Sequence, residues 1–104
     1  MVFLSLLAEK PSYGYKLIED AAKFGLSPEF LERGVAYRIL RRLEALNLVE
    51  SAWDTSQESG MPRRVYTITQ EGIVFLKRWS EETENVINSL LLLRDRIKKI
   101  IDER

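Results

Sequence analysis

The sequence predicts a mainly α-helical fold with a small two-stranded β hairpin and one long C-terminal helix. Three observations predict this fold. Residues 33–49 place apolar side chains on one face of a helix and basic side chains on the other. Residues 48–54 and 63–69 alternate and are rich in β-branched and aromatic side chains. After residue 69, apolar residues recur at a seven-residue spacing almost to the C-terminus.

Length and composition limit the class of protein. The chain has 104 residues, of which 45% are hydrophobic and 31% charged, which is typical of a single globular unit. It has no cysteine and no histidine, so we expect no disulfide, no metal site and no cofactor. With no glycine-rich phosphate loop and no paired acids in a cleft, we expect no enzyme. The apolar start is too short for a membrane span and lacks the basic start of a signal peptide, which predicts a cytoplasmic protein without a membrane partner.

The first third of the chain is predicted to form two helices and a spacer. Residues 2–8 are almost entirely apolar, as in a buried helix, and a proline soon follows them. A second helix is predicted over residues 13–24, with Ser12 as its N-cap and Gly25 as its terminating glycine. Residues 26–32 then predict a single helical turn that separates the second helix from the third.

The third helix, predicted from about residue 34 to residue 46, concentrates positive charge in a chain whose net charge is zero. Its apolar face contains Ala36, Ile39, Leu40, Leu43 and Leu46. Four arginines lie within ten residues that include no acidic residue, namely Arg33, Arg38, Arg41 and Arg42. Such a face is typical of a helix that contacts phosphate, and a dimer would double the patch. Asn47 is expected to end the helix in the left-handed conformation.

Two strands follow, over residues 48–54 and 63–69, joined by a polar loop. The loop is longer than a two-residue turn, so we expect its tip to project and to be mobile. Arg63 and Arg64 are neighbours in a strand and therefore point to opposite faces. The alternation alone leaves open whether both of them or only one meets phosphate. Helix, helix, spacer, basic helix and hairpin, in this order, predict a winged helix-turn-helix, in which the third helix enters the major groove.

The last helix, capped by Thr69, needs a partner to cover its apolar seam. The predicted seam contains Leu76, Trp79, Val86, Leu90, Leu93, Ile97 and Ile100, with Thr83 as a polar interruption. A second set widens the apolar stripe, namely Ile87, Leu91, Leu92 and Ile101. Because so small a domain cannot bury this face, we expect a homodimer. We therefore predict a DNA-binding domain over residues 1–69 and a dimerisation helix over residues 70–104.

A resemblance to a known family rests on three segments and on the long helix. The segments are LLAEKPSYGYKLIED, VAYRILRRLEALNLVES and WDTSQESGMPRRVYTITQEG. Together they resemble the PadR-like transcriptional regulators over nearly the whole chain. The resemblance implies a homodimeric regulator, usually a repressor, that reads a pseudo-palindromic operator in double-stranded DNA with half-site centres about 34 Å apart. The DNA-binding positions that it implies are Gly34, Val35, Tyr37, Arg38, Arg41 and Arg42 in the third helix and Arg63 and Arg64 in the hairpin.

The chain departs from the family pattern at the start of the third helix. Val35 stands where family members usually have serine or threonine, and Ala36 replaces a common leucine. The missing hydroxyl leaves the backbone N–H of Gly34 to meet phosphate. Trp79 lies where a multidrug-responsive branch of the family carries a stacking tryptophan, which implies a small aromatic effector between the two subunits.

Plainer interpretations stand beside each of these hypotheses. The arginines of the third helix could form a solvated face, and Tyr37 could pack against the body of the domain instead of touching DNA. Trp79 could belong to the dimer seam alone, and Trp53 and Tyr66 are expected to pack the hairpin on the helices. Of Tyr13 and Tyr15, which flank a glycine at the start of the second helix, one is expected to pack and the other to approach a backbone phosphate. The whole protein could be a winged-helix module for protein contacts without DNA binding.

Overall fold

The computed structural model describes residues 1–24, 33–55 and 62–104, and only the backbone of residue 33. The predicted terminating glycine, Gly25, the predicted spacer at 26–32 and the tip of the hairpin loop lie outside the described residues. The fold is mostly helical, with a small antiparallel sheet and a long last helix, which confirms the predicted fold class. The elements are α1 (Val2–Glu9), β1 (Ser12–Tyr13), α2 (Gly14–Ala21) with a following 3-10 turn (Ala22–Phe24), α3 (Arg33–Ala45), β2 (Val49–Asp54), β3 (Arg63–Ile68) and α4 (Gln70–Asp102).

The core lies where the first three helices meet the sheet. Each helix contributes apolar residues spaced four apart, so that they share one face. With residues of the hairpin they form one buried cluster, namely Phe3, Leu4, Leu7, Leu17, Ala21, Ala36, Leu40, Leu48, Val49 and Tyr66. We call residues 1–69 the winged body, and this cluster is its core.

The apolar face of α3 is narrower than predicted. Ala36 and Leu40 are fully buried and Leu43 is partly buried, but Ile39 is 39% and Leu46 is 56% exposed. At 100° per residue, Ile39 and Leu46 lie roughly 60° and 80° from Ala36 around the helix axis. They therefore sit at the flank of the buried stripe and not within it.

The sheet has one strand more than the predicted hairpin. β2 and β3 pair in antiparallel register from Val49 opposite Ile68 to Asp54 opposite Arg63, as a hairpin requires. β1 adds to the other edge of β3. Ser12 belongs to this strand and does not cap a helix, so α2 begins only at Gly14. The prediction of a helix from residue 13 capped by Ser12 was therefore wrong, because pairing with β3 holds these residues in an extended conformation.

A short network joins the winged body to α4. Asn47 adopts the predicted left-handed conformation, with φ of 61°. Thr69 caps α4 as predicted, because its hydroxyl oxygen accepts the backbone N–H of Gly72 at 3.0 Å. The same hydroxyl donates to the carbonyl oxygen of Asn47 at 2.7 Å. Gly72 is buried, and a Cβ placed on it would lie 2.2 Å from the carbonyl oxygen of Leu48. The start of α4 is thus packed backbone to backbone on the end of α3.

Beyond this joint, α4 lies in solvent. Its 33 residues span about 50 Å, and the whole chain extends over 67 × 28 × 20 Å. Leu76 packs against the core, but the six other predicted seam residues are each at least 44% exposed in the single chain. These exposed residues are Trp79, Val86, Leu90, Leu93, Ile97 and Ile100. No helix in the described ranges is long and apolar enough to cross a membrane.

Candidate nucleic-acid interface

The solvent face of α3 is basic. Arg38, Arg41 and Arg42 are exposed. Within the described part of the chain, no carboxylate lies within ion-pair distance of these three guanidinium groups. The acid nearest in sequence, Glu44, is partly buried and accepts a hydrogen bond from the hydroxyl of Ser51 in β2. The positive charge of this face is therefore available to an anionic partner.

The other predicted DNA-binding positions of α3 differ in their exposure to solvent. Gly34 is exposed, and a Cβ added to it would meet no atom within 4 Å, so its backbone is open to an approaching molecule. Val35 and Tyr37 are partly buried. A Cβ on Gly14 would lie 2.7 Å from Cε1 of Tyr37, so the tyrosine ring lies directly on the start of α2. Tyr37 thus packs on the body at its ring, as the plainer interpretation expects.

An open groove separates the start of α2, the middle of α3 and the hairpin. Its volume is about 410 Å³. Five aromatic residues and three arginines line it together with a glycine and a proline, namely Tyr13, Gly14, Tyr15, Tyr37, Arg41, Trp53, Pro62, Arg63, Arg64 and Tyr66. Among the described residues, this lining contains no acidic side chain, so the groove continues the positive face of α3 toward the hairpin.

Arg63 lines one side of the groove, within cation–π distance of two tyrosines. The rings of Tyr13 and Tyr15 are stacked, with centroids 5.8 Å apart and planes 9° apart. The guanidinium carbon of Arg63 lies 5.5 Å from the first centroid and 5.4 Å from the second. Nη1 of Arg63 also donates a hydrogen bond of 2.9 Å to the hydroxyl oxygen of Tyr15. Cation–π attraction and this bond together hold the arginine in one place.

Tyr13 links the same cluster to β2. Its hydroxyl donates a 2.8 Å hydrogen bond to Oδ2 of Asp54. This bond to the carboxylate raises the pKa of Tyr13, and partial burial and the negative charge of Asp54 add to the effect. The contact joins the two outer strands of the sheet, because Tyr13 belongs to β1 and Asp54 to β2.

Arg64 has a different aromatic partner from Arg63. Its guanidinium carbon lies 5.1 Å from the ring centroid of Trp53, the residue opposite it in the hairpin. Trp53 is 62% exposed, so the expectation that it packs the hairpin on the helices was wrong. Tyr66 does fill that role, since it is 2% exposed and burial raises its pKa. The two neighbouring arginines thus stack on different aromatic groups.

The sequence predicted that one of the two tyrosines flanking Gly14 packs and that the other approaches a backbone phosphate. It did not predict that Tyr13 and Tyr15 both contact Arg63. It also missed the exposed position of Trp53 beside Arg64. The predicted effector residue, Trp79, lies elsewhere, 44% exposed on α4. Where residues are described, no group of three acidic side chains could hold a metal ion.

Comparison with known proteins relates the chain to transcriptional regulators. Residues 3–78 match the transcriptional regulator PadR-like family. A crystal structure of a conserved protein of unknown function, described as a potential transcriptional factor, is 36% identical with a TM-score of 0.79, over 96% of this chain and 87% of that one. A PadR family transcription regulator from Clostridium difficile R20291 is 34% identical with a TM-score of 0.72, over 86% and 94% of the two chains. An uncharacterized protein of Lysinibacillus sphaericus is 26% identical over an alignment of 87 residues. The alignment covers 80% of this chain and 79% of that protein.

Proposed function

Because this chain belongs to the PadR-like family of transcriptional regulators, we propose that it is a homodimeric repressor that binds a specific pseudo-palindromic operator in double-stranded DNA. The family is one of transcriptional regulators and not of enzymes. In this proposal each copy of α3 enters a major groove and the hairpin of the same copy touches the flanking backbone.

One observation supports the proposal of DNA binding, namely the basic surface that extends from α3 to the hairpin. Arg38, Arg41 and Arg42 form its helical part, and Arg63 and Arg64 its hairpin part. All five arginines are exposed, and no described acidic side chain neutralises the helical part by an ion pair. Phosphate contacts by such arginines supply affinity, while contacts to base edges from Arg38, Arg41 and the hydroxyl of Tyr37, whose ring packs on the body, supply the sequence preference.

The proposal divides the chain between residues 69 and 70. The winged body, residues 1–69, carries the DNA-binding surface, and residues 70–104 carry the dimer contacts. Two exposed series of apolar residues on α4, spaced seven apart, support a helix-to-helix seam. A chain with no net charge gains little affinity for DNA from one basic patch. The second copy therefore also contributes to DNA binding, because it adds a second basic patch.

For the effector, we propose a small aromatic molecule held between Trp79 of the two copies. Stacking on an indole stabilises such a ligand by about 1 kcal/mol per aromatic pair beyond its buried area. The ligand lowers DNA affinity only if it binds better to a dimer with another spacing of the two α3 helices. The chain has two tryptophans, so in Trp53→Phe protein all indole fluorescence comes from Trp79. We expect aromatic drugs to quench it, and an unchanged signal over a broad panel would exclude this site.

The decisive experiment for DNA binding is to sequence the genomic fragments that the purified protein retains. We expect an inverted repeat with half-site centres about 10 base pairs apart, or a multiple of that spacing. Unrelated fragments without a palindrome would contradict the proposal.

A matched pair of double variants then tests the surface. Arg38→Ala with Arg41→Ala should abolish retention on the operator, whereas Lys98→Ala with Arg104→Ala removes the same charge at the far end of α4 and should leave it intact. If the first pair binds DNA as wild type does, the alternative of a winged-helix module for protein contacts is favoured.

A further inference from the structure

We propose that Tyr15 and Arg63 form a binding position for one phosphate group of the DNA backbone, outside α3, and that Tyr13 and Asp54 hold this position in place. The inference rests on the proposed function, since it names a contact of the same DNA-binding surface. It adds a residue of α2, Tyr15, to a surface otherwise made of α3 and the hairpin.

The guanidinium of Arg63 is held ready for an anion. Its carbon lies 5.5 and 5.4 Å from the ring centroids of Tyr13 and Tyr15, so both rings attract its positive charge. A guanidinium carries five N–H donors, and the bond to Tyr15 uses one of them. Because Arg63 is exposed, its other N–H donors can reach phosphate oxygens, to which a guanidinium can bind in a bidentate way. Ordering the side chain before binding also lowers the entropy cost of the contact.

The two tyrosine hydroxyls have different roles. The oxygen of Tyr15 accepts the N–H of Arg63, so its own proton can point away from the arginine and donate to an anion. Tyr15 is 49% exposed, which gives a ligand access to that proton. The proton of Tyr13 is instead committed to the carboxylate of Asp54. Tyr15 therefore binds, whereas Tyr13 is a positioning residue.

The surroundings favour a backbone phosphate of DNA over a free anion. The groove is open and about 410 Å³ in volume, and its described lining adds Arg41 and Arg64 but no acidic side chain. Arg41 belongs both to this groove and to the basic face of α3. A strand whose bases face α3 would thus run past Arg41 and bring a flanking phosphate to Tyr15 and Arg63. A separate phosphate or nucleotide would gain no such continuity.

Two tyrosine variants, each losing only a hydroxyl, test the proposal. Tyr15→Phe keeps the ring stack but loses the donor, so operator affinity should fall about tenfold, as expected for one hydrogen bond to a charged acceptor. Ethylation of single backbone phosphates should weaken wild-type binding at one flanking phosphate in each half-site, and this dependence should vanish in Tyr15→Phe protein. Tyr13→Phe should keep the dependence at that phosphate. Arg63→Gln should reduce the slope of log affinity against log salt by about 1 for each protomer.

Three outcomes would overturn the proposal in distinguishable ways. If Tyr15→Phe binds the operator with wild-type affinity and the wild-type ethylation pattern, the phosphate position is wrong and the DNA-binding function stands. If inorganic phosphate saturates a site on the free protein that Tyr15→Phe loses, and operator affinity does not change, the groove takes a free anion. If the wild-type protein retains no duplex, the proposed function itself fails.

Discussion

The winged body and the long helix differ in where they place their apolar residues. The ten buried hydrophobic side chains among the described residues lie between Phe3 and Tyr66, and the largest that are 0% exposed, Leu4, Leu17 and Leu40, come from three different helices. In α4 no hydrophobic side chain is buried, and Leu92 reaches 73% exposure. The described residues of the body therefore form a core within one chain, whereas α4 carries an apolar surface that the described part of the chain leaves uncovered.

The joint between the winged body and α4 ties the two regions together. Thr69 and Gly72 tie the first turn of α4 to the end of α3 through Asn47 and Leu48. A change in the way two copies of α4 cross would therefore be passed to the α3 helices, because no flexible linker intervenes. The following changes test the body, the joint and the seam separately, from the largest expected effect to the smallest.

The largest effect is expected from a charge in the seam. Leu90→Glu places a carboxylate at a predicted seam position that is 59% exposed in the single chain. We expect a monomer in analytical ultracentrifugation and a loss of operator affinity of about a hundredfold or more, because the two half-sites are no longer bound by one molecule. Thermal unfolding should still show a folded winged body.

Leu92→Glu is the matched control, since Leu92 lies outside the seam. A dimer that survives Leu92→Glu but not Leu90→Glu supports a two-stranded seam. Equal losses would show that the interface extends around the helix, as the wider apolar stripe allows. A dimer that survives both changes contradicts the division of the chain at residue 69.

At the joint, Gly72→Ala should destabilise the chain by about 2 kcal/mol or more, because the new methyl group meets a backbone carbonyl that cannot move alone. That corresponds to a fall in Tm of roughly 8 °C or more for a domain of this size. Gly34→Ala is the control, since its methyl group meets no atom, and it should leave Tm within a few degrees. Equal melting temperatures for the two variants would show that the joint is not rigid.

Local signals in the sequence were enough to predict most of the fold. Asn47 and Thr69 have the roles expected of them because a left-handed helix end and an N-cap depend on neighbouring backbone atoms. The hairpin follows from alternation within each strand. β1 could not be predicted in this way, since two residues show no alternation and are extended only because β3 lies beside them.

The candidate site shows the same contrast between features that local sequence predicts and features that depend on distant residues. Helical periodicity alone puts Arg38, Arg41 and Arg42 on the solvent face of α3. The cluster of Tyr15 and Arg63 joins residues 48 positions apart, and it exists because β1 pairs with β3. Short-range patterns carry no information on such a contact. The exposure of Ile39 is a smaller error of the same kind, since periodicity gives the direction of a side chain but not the width of the surface that covers it.

The cap of α4 should have an intermediate effect. Thr69→Ala removes the acceptor for Gly72 N–H and the donor to Asn47, and it should lower the free energy of unfolding by about 1 kcal/mol. Thr69→Ser keeps both hydrogen bonds and should recover most of that loss in chemical denaturation. If serine does no better than alanine, the methyl group of Thr69 is what stabilises the joint.

The smallest effect is expected from the bond between Tyr13 and Asp54 at the outer edge of the winged body. The hydrogen bond to Asp54 raises the pKa of Tyr13, so the folded chain holds this proton more tightly than the unfolded chain does. The hydrogen bond therefore stabilises the fold fully below the ordinary tyrosine pKa of about 10. This stabilisation is lost as pH rises through the higher pKa that Tyr13 has in the folded chain. Tyr66, whose pKa is raised by burial, adds a loss over the same range in every variant. Denaturation curves of wild type and Tyr13→Phe should therefore differ at neutral pH and converge at alkaline pH, and a constant difference would mean that the ring of Tyr13, not its hydroxyl, carries the effect.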